Sequence, residues 1–268
     1  MSEAVYWKEA RKGDYAVIGD PIDHSLSPAM HQAAYRELGL KLVYNAFRVP
    51  LGEVALACSH LRRLGYKGIN VTVPLKGDAL AASRVPDAFS RLVGAANTLR
   101  LSDMACTNTD GPGFIETLHD LGIDGGSKVL LLGAGGSARS IARALYENGY
   151  KLAIYNRTPE RAERMVRELQ IEAELCGADP CGAKLIVNAT SAGLLGGDLP
   201  VQWDRVEPDA IAYDLVYKAE PTPFLKAAAA HGLRTVDGKL LLVAQGALSF
   251  EWWLGVPAPR QAMMASLG

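Results

Sequence analysis

The stretch Lys128-Val129-Leu130-Leu131-Leu132 runs without a break into Gly133-Ala134-Gly135-Gly136-Ser137-Ala138. Behind one lysine the run is continuously apolar, as in a strand covered on both faces, and such strands belong to parallel sheets. The glycine-rich turn opens a helix, Ser137–Tyr146, with Ile141 and Leu145 on one face and Asn148-Gly149 at its end. This is the G-x-G-x-x-A form of the dinucleotide fingerprint. The first glycine permits the tight turn, the second lets backbone approach a pyrophosphate, and Ala138 allows close helix–strand packing. The helix N-terminus then faces the phosphates. Residues Gly133, Ala134, Gly135, Gly136, Ser137 and Ala138 are the expected cofactor cradle.

The end of the next strand, Lys151–Tyr155, selects the nucleotide. NAD sites place Asp or Glu there to hold free ribose hydroxyls. Here the residues are Asn156-Arg157-Thr158. Arg157 can grip a 2′-phosphate with its fork of donors, and Asn156 and Thr158 add neutral hydrogen bonds. The expected cofactor is therefore NADP. The competing reading leaves Arg157 as a solvated loop residue and Thr158 as the cap of the helix that Pro159 starts.

Strands and helices also alternate before this unit. Tyr15–Ile18, Leu42–Val49 and Ile69–Val73 read as strands. Pro28–Leu38, with Ser27 at its N-cap, and Val54–Leu64, closed by Gly65, read as helices. After about Leu101 a second unit begins, with further strands at Leu185–Val187 and Ile211–Tyr213. Gly238–Leu254 reads as a long apolar helix. The 268 residues thus make an α/β protein of two domains.

Composition narrows the function. Apolar content of 49%, charged content of 21% and net charge −1 describe a globular protein without a nucleic-acid footprint. No run approaches a membrane span, and the first residues lack a signal peptide's apolar core. Cys58, Cys106, Cys176 and Cys181 show no C-x-x-C spacing, so neither a metal cluster nor a disulfide framework is expected. A cytoplasmic protein is expected.

In Asn70-Val71-Thr72-Val73-Pro74-Leu75-Lys76, the proline suits the first helical position, which puts Lys76 in the first turn. The helix dipole disfavours a cation there, so Lys76 is a candidate proton donor and acceptor. Asp110, in Asn108-Thr109-Asp110-Gly111-Pro112-Gly113, either caps the helix Phe114–Leu121 or pairs with Lys76. Ser25 and Ser27, in Gly19–Pro28, could hold a carboxylate, although Ser27 before Pro28 is also an ordinary cap. His24 reads as structural. Asn97, in Gly94-Ala95-Ala96-Asn97-Thr98, offers an amide or a turn.

Taken together these motifs resemble the shikimate dehydrogenase family over nearly the whole chain. Gly19–Pro28, Asn70–Lys76, Gly94–Thr98, Asn108–Asp110, the glycine-rich turn, Asn156–Thr158, Asn188-Ala189-Thr190-Ser191, Asp214–Tyr217 and Asp237-Gly238 through Gln245 follow in family order. The resemblance implies reversible NADPH-dependent reduction of 3-dehydroshikimate to shikimate. It implies an N-terminal α/β substrate domain, 1–102, completed by helices from 239–268. A Rossmann-type domain, 103–238, and an active site in the cleft between them complete the picture. It carries over Lys76 and Asp110 as the catalytic pair, and Ser25, Ser27 and Tyr217 as carboxylate contacts. Asn70, Thr72, Asn97 and Gln245 fall at ring-hydroxyl positions, and Thr190, Leu215 and Gly238 on the cofactor side. Gln32, Leu215, Lys218-Ala219 and Leu241 depart from the common pattern. Monomer and homodimer both fit. A broader quinate/shikimate dehydrogenase is the near alternative, and a non-catalytic metabolite-binding regulator the distant one.

Overall fold

The computed structural model describes residues 5–190, 192 and 199–268; Ser191 lies outside them. The chain divides into two units, Met1–Thr109 with Leu242–Gly268, and Asp110–Leu241. Among the described residues no helix is long and apolar enough to cross a membrane.

The first unit holds β1 (Tyr15–Gly19), α1 (Ser27–Glu37), β2 (Tyr44–Arg48), α2 (Val54–Arg63), β3 (Gly68–Val71), α3 (Lys76–Ala82), β4 (Val85–Pro86), α4 (Ala88–Val93), β5 (Thr98–Arg100) and β6 (Ala105–Thr107). Its sheet order is β2-β1-β3-β5-β6-β4. The strands β2, β1 and β3 are parallel, as crossover helices require, while β5 runs antiparallel to both β3 and β6. Because β6 pairs with β5, this unit runs on through Thr109, beyond the boundary expected at 102. One face of the sheet packs Ile18, Phe47, Ile69, Val71 and Leu99 against Val54, Cys58 and Leu61 of α2. The chain returns to this unit through α9 (Lys239–Leu254) and α10 (Arg260–Ala265), which packs against α1.

The second unit holds α5 (Asp110–Leu121), β7 (Lys128–Leu132), α6 (Gly136–Glu147), β8 (Lys151–Tyr155), α7 (Pro159–Leu169), β9 (Glu174–Leu175), β10 (Leu185–Asn188), β11 (Ile211–Asp214), α8 (Pro223–Ala230) and β12 (Arg234–Val236). The order β12-β11-β10-β7-β8-β9 is parallel throughout. It is the doubly wound arrangement whose order reverses between β7 and β10, where such sheets bind dinucleotides. Leu130, Leu132, Ala153, Ile186 and Ala212 fill the core beneath Phe224 and Leu225 of α8.

Three local expectations change. Leu26, not Ser27, occupies the cap position of α1, and Ser27 is its first helical residue. Pro74 lies in a turn closed by Leu75 N on Thr72 O at 2.9 Å, and α3 starts at Lys76 with Leu75 as cap. Asp110 is the first residue of α5 rather than a cap preceding Phe114.

His31 of α1 is wholly buried, and neither ring nitrogen has a hydrogen-bond partner. Its ring stacks on Tyr44 at 4.3 Å and lies among Tyr35, Phe250 and Trp253. Burial pulls its pKa from 6.5 down to about 3. The unfolded chain takes up this proton below 6.5 whereas the folded chain does not, so stability falls as pH drops through that window. The limiting slope is about 1.4 kcal/mol per pH unit. Urea unfolding of the wild type and His31→Leu at about pH 7 and about pH 4.5 should therefore show the wild type losing about 2.5 kcal/mol relative to the variant. A pH-independent difference would mean that His31 titrates alike in both states.

Candidate active site

In the first unit four motifs converge at the ends of β1 and β3. Thr72, just past β3, donates its amide to Ile18 O at 2.9 Å, and Asp20 N donates to Val73 O at 3.1 Å. These bonds tie Gly19–Pro28 to Asn70–Lys76. Val71 N donates to Asn97 O at 2.8 Å, and Ala96 N to Lys76 O at 2.9 Å, which ties Asn70–Lys76 to Gly94–Thr98. Asn108 Nδ2 donates to Ala95 O at 2.9 Å, adding the start of the Asn108-Thr109-Asp110 motif. Lys76 is buried, with its backbone fixed by one of these bonds. The expected lysine is thus held in place by main chain, independently of its own side chain.

The polar side chains divide into two kinds. Asn97 is committed to protein: Nδ2 donates to Thr109 Oγ1 at 2.9 Å and Gln245 Oε1 at 3.3 Å, while Oδ1 accepts from Thr109 N at 2.9 Å. Asn70 is committed further. Its Oδ1 accepts from Tyr44 Oη at 2.6 Å, and Nδ2 faces Ser249 Oγ at 2.9 Å, Thr98 Oγ1 at 3.1 Å and Asn97 O at 3.3 Å. Gln245 of α9 spends one amide hydrogen on Leu242 O at 2.8 Å, and keeps another that meets no described residue. Ser25 Oγ accepts from Ser27 N at 3.3 Å, which turns the chain into α1 and leaves the Ser27 hydroxyl outside any capping role. His24 makes no bond to these groups.

In the second unit the glycine turn lies at the order reversal. Gly133 has φ +117°, and a Cβ there would sit 3.1 Å from the Ala189 carbonyl oxygen, so only glycine fits comfortably. Ala134 continues the turn. Gly135 caps α6 with extended backbone, no side chain caps the helix, and a Cβ at Gly135 would meet nothing within 4 Å. An open helix N-terminus over glycine, with Gly136, Ser137 and buried Ala138 following, suits a pyrophosphate. Asn156, Arg157 and Thr158 follow β8. Asn156 Nδ2 donates to Thr158 O at 2.8 Å, and Arg157 is exposed. Thr158 sits at the cap of α7 but makes no side-chain cap bond, so its hydroxyl is available to a ligand.

Beside them, Thr190 donates to Asn188 Oδ1 at 2.7 Å, and Asn188 Nδ2 to Asp214 Oδ1 at 3.0 Å. Asp214 also accepts from Thr222 Oγ1 at 2.6 Å and Val216 N at 2.9 Å. Burial raises the Asp214 pKa, opposed by these donors. Gly238 N donates to Val216 O at 3.2 Å, and a Cβ on Gly238 would overlap the Leu215 carbonyl, so those two expected cofactor residues meet. Tyr217 follows on the loop after β11, half-buried, and Asp110 opens α5. Tyr44, Thr222 and Ser249 fall outside the motifs read in the sequence, and Thr98, Thr109 and Asp214 stand inside them without a role of their own. Of the three outside the motifs, Ser249, a polar residue four places after Gln245 in an apolar helix, carried a visible signal.

Residues 17–99 match the shikimate dehydrogenase substrate binding domain. Residues 120–185 match shikimate / quinate 5-dehydrogenase, and 241–267 the shikimate 5'-dehydrogenase C-terminal domain. The NADP(+) shikimate dehydrogenase of Methanothrix thermoacetophila is 38% identical over 94% of this chain and 96% of its own. That of Nitrosopumilus maritimus is also 38% identical, over 94% and 97%. The chain belongs to the shikimate dehydrogenase family. The crystal structure of shikimate 5-dehydrogenase from Thermus thermophilus in complex with NADP(H) and shikimate superposes with a TM-score of 0.86. It is 37% identical to this chain, over 94% of this chain and 97% of its own. Of the departures from the common pattern, Gln32 has a structural account: it donates to Leu42 O at 3.0 Å and so joins α1 to the approach of β2.

Since Ser27 does not cap α1, Ser27→Ala should melt at or above the wild-type temperature, because Ala outranks Ser inside a helix. A stability loss of about 0.5–2 kcal/mol in thermal unfolding would return Ser27 to the capping role.

Proposed function

We propose that this protein is an NADP-dependent shikimate dehydrogenase, which reversibly reduces 3-dehydroshikimate to shikimate on the route to chorismate and the aromatic amino acids. The observation that carries this is Lys76, buried and held by a main-chain bond from Ala96 among the family's ordered motifs. The first unit is the substrate half and the second the dinucleotide half. Ser25 and Ser27, with Tyr217, hold the substrate carboxylate; Thr72 and Gln245 meet the ring hydroxyls, while Asn97, spent on Thr109 and Gln245, holds Gln245 in place beside them. Asn70 sits in the same cluster, and its saturated amide favours shaping that pocket over touching the ligand. The glycine turn, Asn156, Arg157 and Thr158, together with Thr190, Leu215 and Gly238, hold NADP. A cytoplasmic site of action is part of this reading, and the four free thiols accord with a reducing compartment.

NADPH, when bound, supplies the hydride, and the protein supplies alignment and proton management. Lys76 gives a proton to the ketone oxygen in reduction and takes it from the hydroxyl in oxidation. Asp110 accepts a hydrogen bond from the neighbouring hydroxyl and orients the lysine. A regulator would need neither. Quinate carries one more hydroxyl at the carboxylate-bearing carbon, so turnover of shikimate and quinate, each with NADP and NAD, tests the whole proposal. Shikimate with NADP should dominate; equal rates on quinate would favour the broader enzyme, and no turnover the regulator.

Two substitutions follow. Lys76→Ala should lower kcat by roughly 10² to 10⁴ while KM for shikimate stays within a few-fold, because proton transfer matters mainly in the transition state. Steady-state kinetics showing wild-type kcat would remove Lys76 from the mechanism. Arg157→Ala should weaken NADP binding about ten- to a hundredfold and leave NAD nearly unchanged, as expected for a lost charge-assisted phosphate contact. Equal losses in titrations of both nucleotides would assign Arg157 to the fold.

A further inference from the structure

Ser249 is buried in an otherwise apolar stretch of α9, one turn after Gln245. Its hydroxyl has four polar neighbours. It donates to Gln245 O at 2.9 Å and accepts from Asn70 Nδ2 at 2.9 Å. It also pairs with Thr98 Oγ1 at 2.7 Å and Thr109 Oγ1 at 3.2 Å. Proton counting orders these contacts. The Gln245 carbonyl can only accept, so it takes the single Ser249 hydrogen, and the Asn70 amide nitrogen can only donate. The remaining lone pair is open to the hydrogen of one of the two threonines, the other giving its hydrogen to Asn97 Oδ1, which both hydroxyls reach. Thr109 in turn receives Asn97 Nδ2, whose other hydrogen reaches Gln245 Oε1. One buried hydroxyl therefore closes a loop that begins at the Gln245 main chain and ends at the Gln245 side chain.

We propose that Ser249 is a positioning residue for substrate binding, fixing α9 against Asn70 and Thr98 so that Asn97 turns the Gln245 Oε1 inward and its Nε2 toward the ligand. The inference rests on the reading of Gln245 as a contact to a substrate hydroxyl. A loose Gln245 must be ordered on each binding event, and such ordering weakens affinity without touching the chemistry. Ser249 should act on KM for shikimate, whereas a merely structural residue would lower the melting temperature and the yield of active protein without selecting one substrate.

The test is steady-state shikimate oxidation by full-length Gln245→Ala, Ser249→Ala and the double variant, with thermal melts. Gln245→Ala should raise KM for shikimate by about tenfold or more, the loss of an ordered polar contact. Ser249→Ala should raise it about fivefold or more while KM for NADP stays within about twofold. In the double variant the Ser249 effect should nearly vanish, since coupled residues are not additive. Additive effects, or an unchanged KM in Ser249→Ala, would overturn the inference while the substrate reading of Gln245 stands. An unchanged KM in Gln245→Ala would overturn that reading and this inference together. If Ser249→Ala does not fold, Thr98→Val cuts the 2.7 Å pair from the sheet side. It must then show the same shikimate-selective rise, and a wild-type KM there would overturn the proposal.

Discussion

A buried primary amide is a demanding thing to place in a sheet, and Asn70 sets the terms for much of the first unit. It lies on β3 between two strands, where each unmet donor or acceptor would cost about 1–3 kcal/mol. Its neighbours resolve this from four directions: Tyr44 from β2, Thr98 from β5, the Asn97 carbonyl, and Ser249 from α9. The solution is also orienting. Asn97 O can only accept, so it must face the Asn70 nitrogen, which leaves the Asn70 oxygen for the Tyr44 hydroxyl. Tyr44 presents its ring to His31, and the His31–Tyr44 stack supports the aromatic cluster around Phe250. Satisfying one amide thus joins the motif cluster at the end of β3 to the aromatic core.

The second unit solves a similar problem with a carboxylate. Asp214 is fully buried at the end of β11, where an isolated charge would be very costly. Donors from Asn188, Thr222 and Val216 meet it, and Asn188 passes the constraint to Thr190. Since Asn188 ends β10 and Asp214 ends β11, the network registers two adjacent strand ends on the side of the order reversal. Loops that start from such fixed points can carry binding residues with little freedom to lose. The Gly238 approach to Leu215 works the same way, through backbone contact that a side chain would forbid.

The parts of this architecture legible in the sequence are those governed by local rules. The apolar run Lys128–Leu132 and its glycine turn specified strand, turn and helix, because period, breaker and helix start all coincide between Lys128 and Ala138. Parallel pairing of β7 with β8 and β10 followed from that pattern. The antiparallel return of β5 and β6 did not, since each has only three residues and pairs across a short turn. Pro74 misled for a related reason. A proline before a lysine suits a first helical turn, but here Thr72–Leu75 forms a hydrogen-bonded turn of its own, with Leu75 N on Thr72 O at 2.9 Å, and delays the helix to Lys76.

At the site, sequence motifs located functional groups better than their obligations. Asn70 and Gln245 are both amides in ordered motifs, and nothing in their spacing separates them. The distinction arises only from long-range partners: Asn70 meets Ser249, 179 residues away, whereas Gln245 retains an amide hydrogen beyond its bond to Leu242 O. Ser27 shows the reverse case. A local rule made it a cap, yet Ser25 accepts the Ser27 amide and the helix begins one residue early, so the hydroxyl has no structural duty at the cap. A polar group already spent on the fold can shape a pocket but has little left to give a ligand. The chemistry of such a site is therefore decided by which groups the packing leaves with an unspent hydrogen or lone pair.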